Sequence, residues 1–199
     1  MNFNNKLTPE IIEPLKDTYT IYIPKITNVS YKNKLEITLK GLKETNAAMP
    51  NEILNSKVTD LNGNIYTIKE VLSQQGQKVK VIDFWASWCG ACIYAIREST
   101  EFRDKLSKEG NVGLLYFSVD KDPEKWKKKA TELKAYGMEQ NQYLIDETTL
   151  DYLKNYFQAY AIPRYVILDS ENKMALFKAP SISDSLQFQK AIDEVKENK

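Results

Sequence analysis

The stretch that decides the fold is Val79-Lys80-Val81-Ile82-Asp83-Phe84-Trp85-Ala86-Ser87-Trp88-Cys89-Gly90-Ala91-Cys92. Its first half is mostly apolar at odd and even positions alike, which predicts a strand in the middle of a sheet covered on both faces. Its second half contains both cysteines of the chain, in a C-x-x-C arrangement. A helix that begins at Cys89 places this sulfur at a helix N-terminus, where backbone N–H groups and the helix dipole favour the thiolate.

The composition is that of a soluble globular protein. The chain has 199 residues, of which 42% are hydrophobic and 28% charged, with a formal net charge of +1. This balance gives no reason to expect nucleic acid or an anionic membrane surface as a partner. The sequence contains no apolar run of the ~18 residues that a membrane span needs.

The absence of histidine narrows the possible chemistry. Without histidine, Ser-His and Cys-His hydrolase mechanisms and histidine general bases are excluded. Two cysteines are too few for a closed four-ligand zinc site unless carboxylates or a second chain contribute. We therefore expect no metal and no organic cofactor, and chemistry that rests on the cysteine pair as a redox-active disulfide.

The spacing of the cysteines suits thiol-disulfide exchange. Lowering the pKa of Cys89 from ~8.5 to ~7 raises its thiolate fraction at neutral pH from a few per cent to about half. Cys92, one helical turn further on, is placed to attack a mixed disulfide on Cys89 and to release the product. The alternative is a static structural disulfide or two inert thiols, but so short a loop adds little stability.

Asp83 is a carboxylate inside the predicted buried strand. Burial makes its charged form costly and predicts a raised pKa. Such an acid near a buried second thiol is suited to taking and returning the proton of that thiol. The alternative is an acid at the edge or end of the strand that points into water.

Strands and helices alternate along most of the chain, which predicts an α/β sheet covered on both faces. The Asn62-Gly63 turn joins a hairpin, and Asp122-Pro123-Glu124 begins a helix. Leu186 is expected on the apolar side of a closing amphipathic helix. The predicted strands after the hairpin cover 79–85, 112–119, 143–145, 165–168 and 174–177, and the predicted helices cover 68–75, 89–108, 122–136, 149–160 and a segment near the C-terminus.

The first part of the chain has a different pattern. Thr20-Ile21-Tyr22-Ile23 and Leu35-Glu36-Ile37-Thr38-Leu39 alternate like half-buried strands. We interpret residues 1–48 as an N-terminal β extension of unknown role and residues 49–199 as the main domain.

The segment from Val81 to Cys92 resembles the active-site region of thioredoxin-fold proteins, most closely the TlpA/ResA-type thiol-disulfide oxidoreductases. The resemblance runs from about Pro50 to the C-terminus and includes a helical insertion over 120–136, the Ile162-Pro163-Arg164-Tyr165 loop and Ala179-Pro180-Ser181. It implies a thioredoxin fold, in which helices cover both faces of a central mixed β-sheet.

The resemblance also implies roles for individual residues. Cys89 is the attacking cysteine, Cys92 the resolving cysteine and Asp83 the buried acid. Pro163 corresponds to a cis-proline beside the disulfide, where the backbone of Ile162 pairs with an extended substrate segment. The residues implied to contact substrate are Trp88, Gly90, Ala91, Ile162 and Pro163.

Three residues depart from the pattern of this family. Ala91 replaces a usual proline, which alters the reduction potential. Arg97 replaces a proline that kinks the helix, so we expect a straighter helix with a charge near the site. Ala95 replaces a glutamate that is frequent in the exported branch.

The resemblance favours a reductase that acts on protein disulfides and receives electrons from a redox partner protein. It also favours a periplasmic location, or a membrane-anchored protein facing the periplasm, over a cytoplasmic one. In that case, the signal or anchor is absent from this sequence. Alternatives are a thiol oxidase or isomerase, since sequence alone does not fix the direction of electron flow, and a Cu(I)-binding thioredoxin-fold chaperone.

Overall fold

The structure is a computed structural model that describes residues 18, 21–28, 32, 48–76 and 78–197. The chain divides into two compact units, Met1–Ala47 and Ala48–Lys199. In the first unit, the predicted strand at 20–23 is wrong, because Ile21 and Tyr22 are helical and a 3-10 helix covers Ile23–Lys25. Pro24 explains this difference, since it cannot donate to a strand ladder but fits the first turn of a helix. The strand predicted over 35–39 lies outside the described residues.

In the second unit, the described residues form one mixed sheet of seven strands. The strands are β1 Lys57–Asp60, β2 Ile65–Thr67, β3 Val79–Trp85, β4 Val112–Ser118, β5 Gln142–Ile145, β6 Arg164–Leu168 and β7 Met174–Leu176. Their order across the sheet is β2-β1-β5-β4-β3-β6-β7. Strands β3, β4 and β5 are parallel to one another, whereas the pairs β1/β2, β1/β5, β3/β6 and β6/β7 are antiparallel.

Seven α-helices in the described part of this unit connect and cover the strands. A 3-10 turn covers Lys134–Tyr136. None of the described helices is long and apolar enough to cross a membrane. The helices are α1 Asn51–Leu54, α2 Ile68–Ser73, α3 Gly90–Glu98, α4 Thr100–Lys108, α5 Pro123–Leu133, α6 Glu147–Phe157 and α7 Ser185–Glu197.

The central strands β3 and β4 are buried along their whole length, because helices pack on both faces of the sheet. On one face, Phe84 of β3 contacts Phe117 of β4 and Phe157 of α6. On the other face, Tyr165 of β6 contacts Phe188 of α7, which also contacts Phe102 of α4. The expected α/β thioredoxin fold, with its helical insertion between β4 and β5, is confirmed.

Two predictions about helices need correction. The helix predicted over 89–108 is two helices, which meet at Ser99 with φ −97° and ψ 12°. The straighter helix expected from Arg97 is therefore wrong. Leu186 is 81% exposed, and the buried side of α7 is formed by Phe188, Ala191 and Ile192 instead.

The break between α3 and α4 is stabilised by side chains rather than by proline. The Ser99 hydroxyl donates to the Ala95 carbonyl at 2.7 Å. Arg103, which is fully buried, donates to the Ile96 carbonyl at 2.7 Å and to the Tyr136 carbonyl at 2.5 Å. Arg103 thus supplies donors to a carbonyl at the end of α3 and to one in the insertion.

We predict that Arg103→Met lowers the free energy of unfolding by about 3 kcal/mol, because it leaves the buried Ile96 carbonyl and the partly buried Tyr136 carbonyl without these donors. Urea denaturation measures the loss. Lys105→Met, at an exposed position of the same helix, is the matched control and should change stability by less than about 0.5 kcal/mol. Equal stability of the two variants would contradict the assigned role of Arg103.

Candidate active site

The two cysteines form a disulfide at the start of α3. The S–S distance is 2.07 Å, and the Cα atoms are 5.2 Å apart. Cys89 is the N-cap residue of the helix, and its Sγ accepts a hydrogen bond from the Cys92 backbone N–H at 3.1 Å. The helix therefore begins where the sequence predicts, and the Cys92 N–H, which has no partner within the helix, is bonded to the first sulfur.

The loop before Cys89 is fixed to the end of β4. The Val119 N–H donates to the Trp85 carbonyl, and the Cys89 N–H donates to the Ala86 carbonyl, which closes a tight turn. The Asp120 carboxylate accepts hydrogen bonds from the Ser87 backbone N–H at 2.8 Å and from its hydroxyl at 2.6 Å. We did not predict Asp120 or Ser87 from the sequence; the only available signal was a carboxylate just after a buried strand.

The Ile162-Pro163 loop lies against the disulfide. The peptide bond between these residues is cis, and the Ile162 carbonyl is 3.8 Å from Cys89 Sγ. A disulfide sulfur has no proton to donate, so this is a contact, but a reduced Cys89 thiol could donate to the same oxygen. Residues far apart in the sequence are thus brought together as the resemblance implies.

Around Cys89, the predicted substrate-contacting residues are at least partly exposed. Trp88 is 69% exposed, whereas Cys89 is only 7% exposed and Cys92 1%. The first cysteine is therefore the more accessible of the pair, although it is recessed beside the tryptophan. The surface beside Trp88 is completed by Gly90, Ala91, Ile162 and Pro163.

Asp83 lies inside the sheet, 3% exposed, in the middle strand β3. Neither of its carboxyl oxygens has a hydrogen-bond partner among the described residues. Burial raises its pKa from 3.8 to about 7, against the opposing effect of the Arg103 charge. The alternative of a strand-end acid that points into water is therefore wrong, and the expected raised pKa is confirmed.

A set of polar side chains surrounds this acid on its face of the sheet. In the strand register, Asp83 is paired with Tyr116 on one side and Tyr165 on the other. The Arg103 guanidinium donates to the Tyr116 hydroxyl at 3.0 Å. Burial, the largest effect, raises the pKa of both tyrosines, so they are neutral wherever Asp83 titrates. Arg103 could not be recognised from the sequence, because a basic residue in an amphipathic helix usually lies in solvent.

The other departures from the family pattern also have places in the structure. Ala95 is buried in the inner side of α3. Arg97 is exposed, and its guanidinium lies 5.0 Å from the ring centroid of Tyr136. This arginine therefore contacts the insertion rather than the disulfide.

Comparison with known proteins gives a consistent result. A sequence profile of a family described as thioredoxin-like matches residues 76–174. The thiol-disulfide oxidoreductase YkuV of Bacillus subtilis is 28% identical over 123 residues, which cover 60% of this chain and 76% of YkuV. A solution structure from Bacteroides vulgatus, described as a candidate thiol-disulfide oxidoreductase, has a TM-score of 0.60 at 20% identity and covers 76% of this chain and 92% of its own. The solution structure of a thiol:disulfide interchange protein from Bacteroides sp. has a TM-score of 0.59 at 21% identity. The match covers 77% of this chain and 93% of the Bacteroides chain.

The predicted resemblance to thioredoxin-like proteins is confirmed by the profile match over residues 76–174 and by the shared fold of the solved structures.

We predict that Asp83→Asn stabilises the protein more at pH 8 than at pH 4. With a pKa of about 7 in the folded state and 3.8 as the ordinary value, folding retains a proton on Asp83 that the unfolded chain releases. This contribution to stability is present below about pH 4 and is lost as the pH rises through about 7. The difference between the two pH values should be on the order of a few kcal/mol, since one pKa unit is about 1.4 kcal/mol.

Urea denaturation of the oxidised protein at both pH values measures this difference. Asp151→Asn, at an exposed position of α6, is the control for a change of one surface charge. An Asp83→Asn effect that is the same at pH 4 and pH 8 would show that Asp83 does not titrate between them.

Proposed function

We propose that the protein reduces disulfides in protein substrates and does so outside the cytoplasm. The observation that carries this proposal is the Cys89–Cys92 pair at the N-terminus of α3, with the Ile162 carbonyl 3.8 Å from Cys89 Sγ. A recessed sulfur between an exposed tryptophan and a cis-proline loop suits an extended peptide segment.

The reaction begins from the dithiol form. The Cys89 thiolate attacks one sulfur of a substrate disulfide, which forms a mixed disulfide and releases the other substrate sulfur as a thiolate that takes up a proton. The Cys92 N–H donates to Cys89 Sγ in the oxidised protein, and the same donor stabilises the Cys89 thiolate in the dithiol.

The second step returns the enzyme to its disulfide form. Cys92 loses its proton to the Asp83 carboxylate and attacks Cys89 Sγ, which forms the Cys89–Cys92 bond and releases the second substrate thiolate. A pKa near 7 lets Asp83 both accept and return a proton at neutral pH. The second substrate thiolate takes up a proton as Asp83 gives its proton back, so the net result is two substrate thiols and an oxidised enzyme. A dithiol of a redox partner protein then reduces the enzyme.

The surface proposed to bind substrate consists of Trp88, Gly90, Ala91, Ile162 and Pro163. Trp88 supplies a large exposed apolar contact beside the attacking sulfur. A Cβ built on Gly90 meets no atom within 4 Å, so the surface next to Cys89 is open to an approaching chain. We propose that the backbone of Ile162 pairs with that chain in an extended conformation.

The location outside the cytoplasm is proposed from the resemblance to exported TlpA/ResA-type proteins. In such a compartment, a reductase must be reduced again by a partner after each turnover, because the surroundings favour disulfides. Fractionation of the source cells tests this part of the proposal, and recovery of the protein in the cytosol alone would overturn it.

We predict that Cys89→Ser abolishes the acceleration of insulin reduction by dithiothreitol that the protein provides, whereas Cys92→Ser accumulates a mixed disulfide through Cys89. The serine hydroxyl is not ionised at neutral pH and cannot replace the attacking sulfur. Insulin turbidity and non-reducing electrophoresis measure the two effects. The Cys89→Ser/Cys92→Ser double variant is the control, and equal residual turnover in both single variants would remove the proposed division of roles.

We predict a reduction potential near that of thioredoxin, roughly −270 mV, for the Cys89/Cys92 couple. Equilibration with glutathione or dithiothreitol, followed by alkylation of the free thiols, measures it. A potential near −120 mV is typical of a strong oxidant. That value would overturn the proposed direction of electron flow while leaving the exchange mechanism intact.

A further inference from the structure

Asp120 is a buried carboxylate that the exchange mechanism above does not use. It lies just after β4, two residues before the Asp122 N-cap of α5, and is 4% exposed. Its Oδ2 accepts from the Ser87 backbone N–H at 2.8 Å and from the Ser118 hydroxyl at 2.7 Å. Its Oδ1 accepts from the Ser87 hydroxyl at 2.6 Å.

The direction of these bonds is fixed by their partners. The Ser118 hydroxyl already accepts from the Asp120 backbone N–H at 3.0 Å, so it donates to the carboxylate. A backbone N–H can only donate, so three donors converge on the two carboxylate oxygens, two of them on Oδ2 and one on Oδ1. Hydrogen bonds to an ionised acceptor are among the stronger ones in proteins.

Two of the three donors belong to Ser87, which lies in the short loop between β3 and Cys89. The next residue, Trp88, is exposed, so the loop gains little rigidity from packing at that point. The Cys89 N–H bond to the Ala86 carbonyl closes the turn around Ser87. The orientation of this turn determines where the Cys89 sulfur lies relative to the first N–H groups of α3.

We propose that Asp120 is a positioning residue that holds Cys89 at the N-terminus of α3 through its bonds to Ser87. This inference rests on the proposed role of Cys89 as the attacking thiolate. Without the carboxylate, the turn is free to rotate away from the end of β4, and Cys89 Sγ loses its alignment with the Cys92 N–H. A catalytic group must be held within a fraction of an ångström to keep such an interaction.

The positioning role and a purely electrostatic role have opposite consequences. Loss of positioning removes a hydrogen-bond donor from the Cys89 thiolate and raises its pKa. Loss of a nearby negative charge, taken alone, stabilises the thiolate and lowers its pKa. The sign of the change therefore distinguishes the two roles.

The experiment measures the rate of alkylation of Cys89 by iodoacetamide against pH in the Cys92→Ser background. Three substitutions are compared in the Asp120–Ser87 hydrogen-bonded pair, which we call the clamp. Asp120→Ala removes every bond. Asp120→Asn removes the charge but keeps an acceptor for the Ser87 N–H, while its amide group can donate to the rotatable Ser87 hydroxyl. Ser87→Ala removes one bond and keeps the backbone N–H bond.

We expect Asp120→Ala to raise the pKa of Cys89 and to slow alkylation about tenfold at a pH below that pKa, the size expected for a lost hydrogen bond to a charged group. Asp120→Asn should stay within about twofold of the parent rate, since one lost hydroxyl bond changes little when its partners can rearrange. Ser87→Ala should shift the pKa in the same direction as Asp120→Ala, but less.

Three results would overturn the proposal. A lower pKa of Cys89 in both Asp120 variants indicates a purely electrostatic role. An unchanged pKa in Asp120→Ala, with lower resistance to urea, indicates a merely structural one. Should Asp120→Ala fail to fold, Ser87→Ala decides: alkylation indistinguishable from the parent protein rejects the clamp.

The matched control is Asp60→Ala. Like Asp120, Asp60 is a carboxylate that accepts backbone N–H bonds, in its case from Asn62 and Asn64 in the turn between β1 and β2. This variant should lose stability without changing the alkylation profile. The inference fails separately from the proposed function, because a Cys89→Ser protein that still reduces insulin rejects the role of Cys89, whatever Asp120 does.

Discussion

The hydrogen bond from the Cys92 N–H to Cys89 Sγ is the interaction on which the chemistry of this protein depends. It exists because β3 ends, a tight turn follows, and α3 begins with a sulfur as its N-cap. The first N–H groups of a helix have no partner within the helix, and they stabilise negative charge placed among them. A thiol at this position reacts as a thiolate at a pH where an ordinary thiol is mostly protonated.

The charged form of Asp83, unlike that of Cys89, is not stabilised by nearby hydrogen-bond donors in the part of the chain that the structure describes. Its oxygens lie in the middle of a fully buried strand without a hydrogen-bond donor among the described residues, and Arg103 moderates its pKa without bonding to it. The Arg103 guanidinium donates its hydrogen bonds to the Tyr116 hydroxyl and to the Ile96 and Tyr136 carbonyls. The same guanidinium thus supports the break between α3 and α4 and the buried charge behind the disulfide. A poorly compensated carboxyl costs stability, and such a cost is common at functional sites.

The elements predicted correctly are those whose signal is local. The strand at Val79–Trp85 follows from its apolar run, and the start of α5 follows from Asp122 and Pro123. The break at Ser99 could not be predicted, because the donor that stabilises it comes from Arg103 and one of its partners lies in the insertion. The same holds for Asp120, whose partner Ser87 is 33 residues away in the chain. Resemblance supplied the pairing of Pro163 with the disulfide, which no local pattern contains.

The depth of the sulfur selects what can react with it. Cys89 is 7% exposed beside a tryptophan that is 69% exposed, so a target sulfur has to enter past the indole. A disulfide recessed in a rigid, convex domain cannot make that approach, whereas one on a loose or incompletely folded segment can. Under the proposed function, this surface geometry favours targets whose disulfides lie on loose or incompletely folded segments.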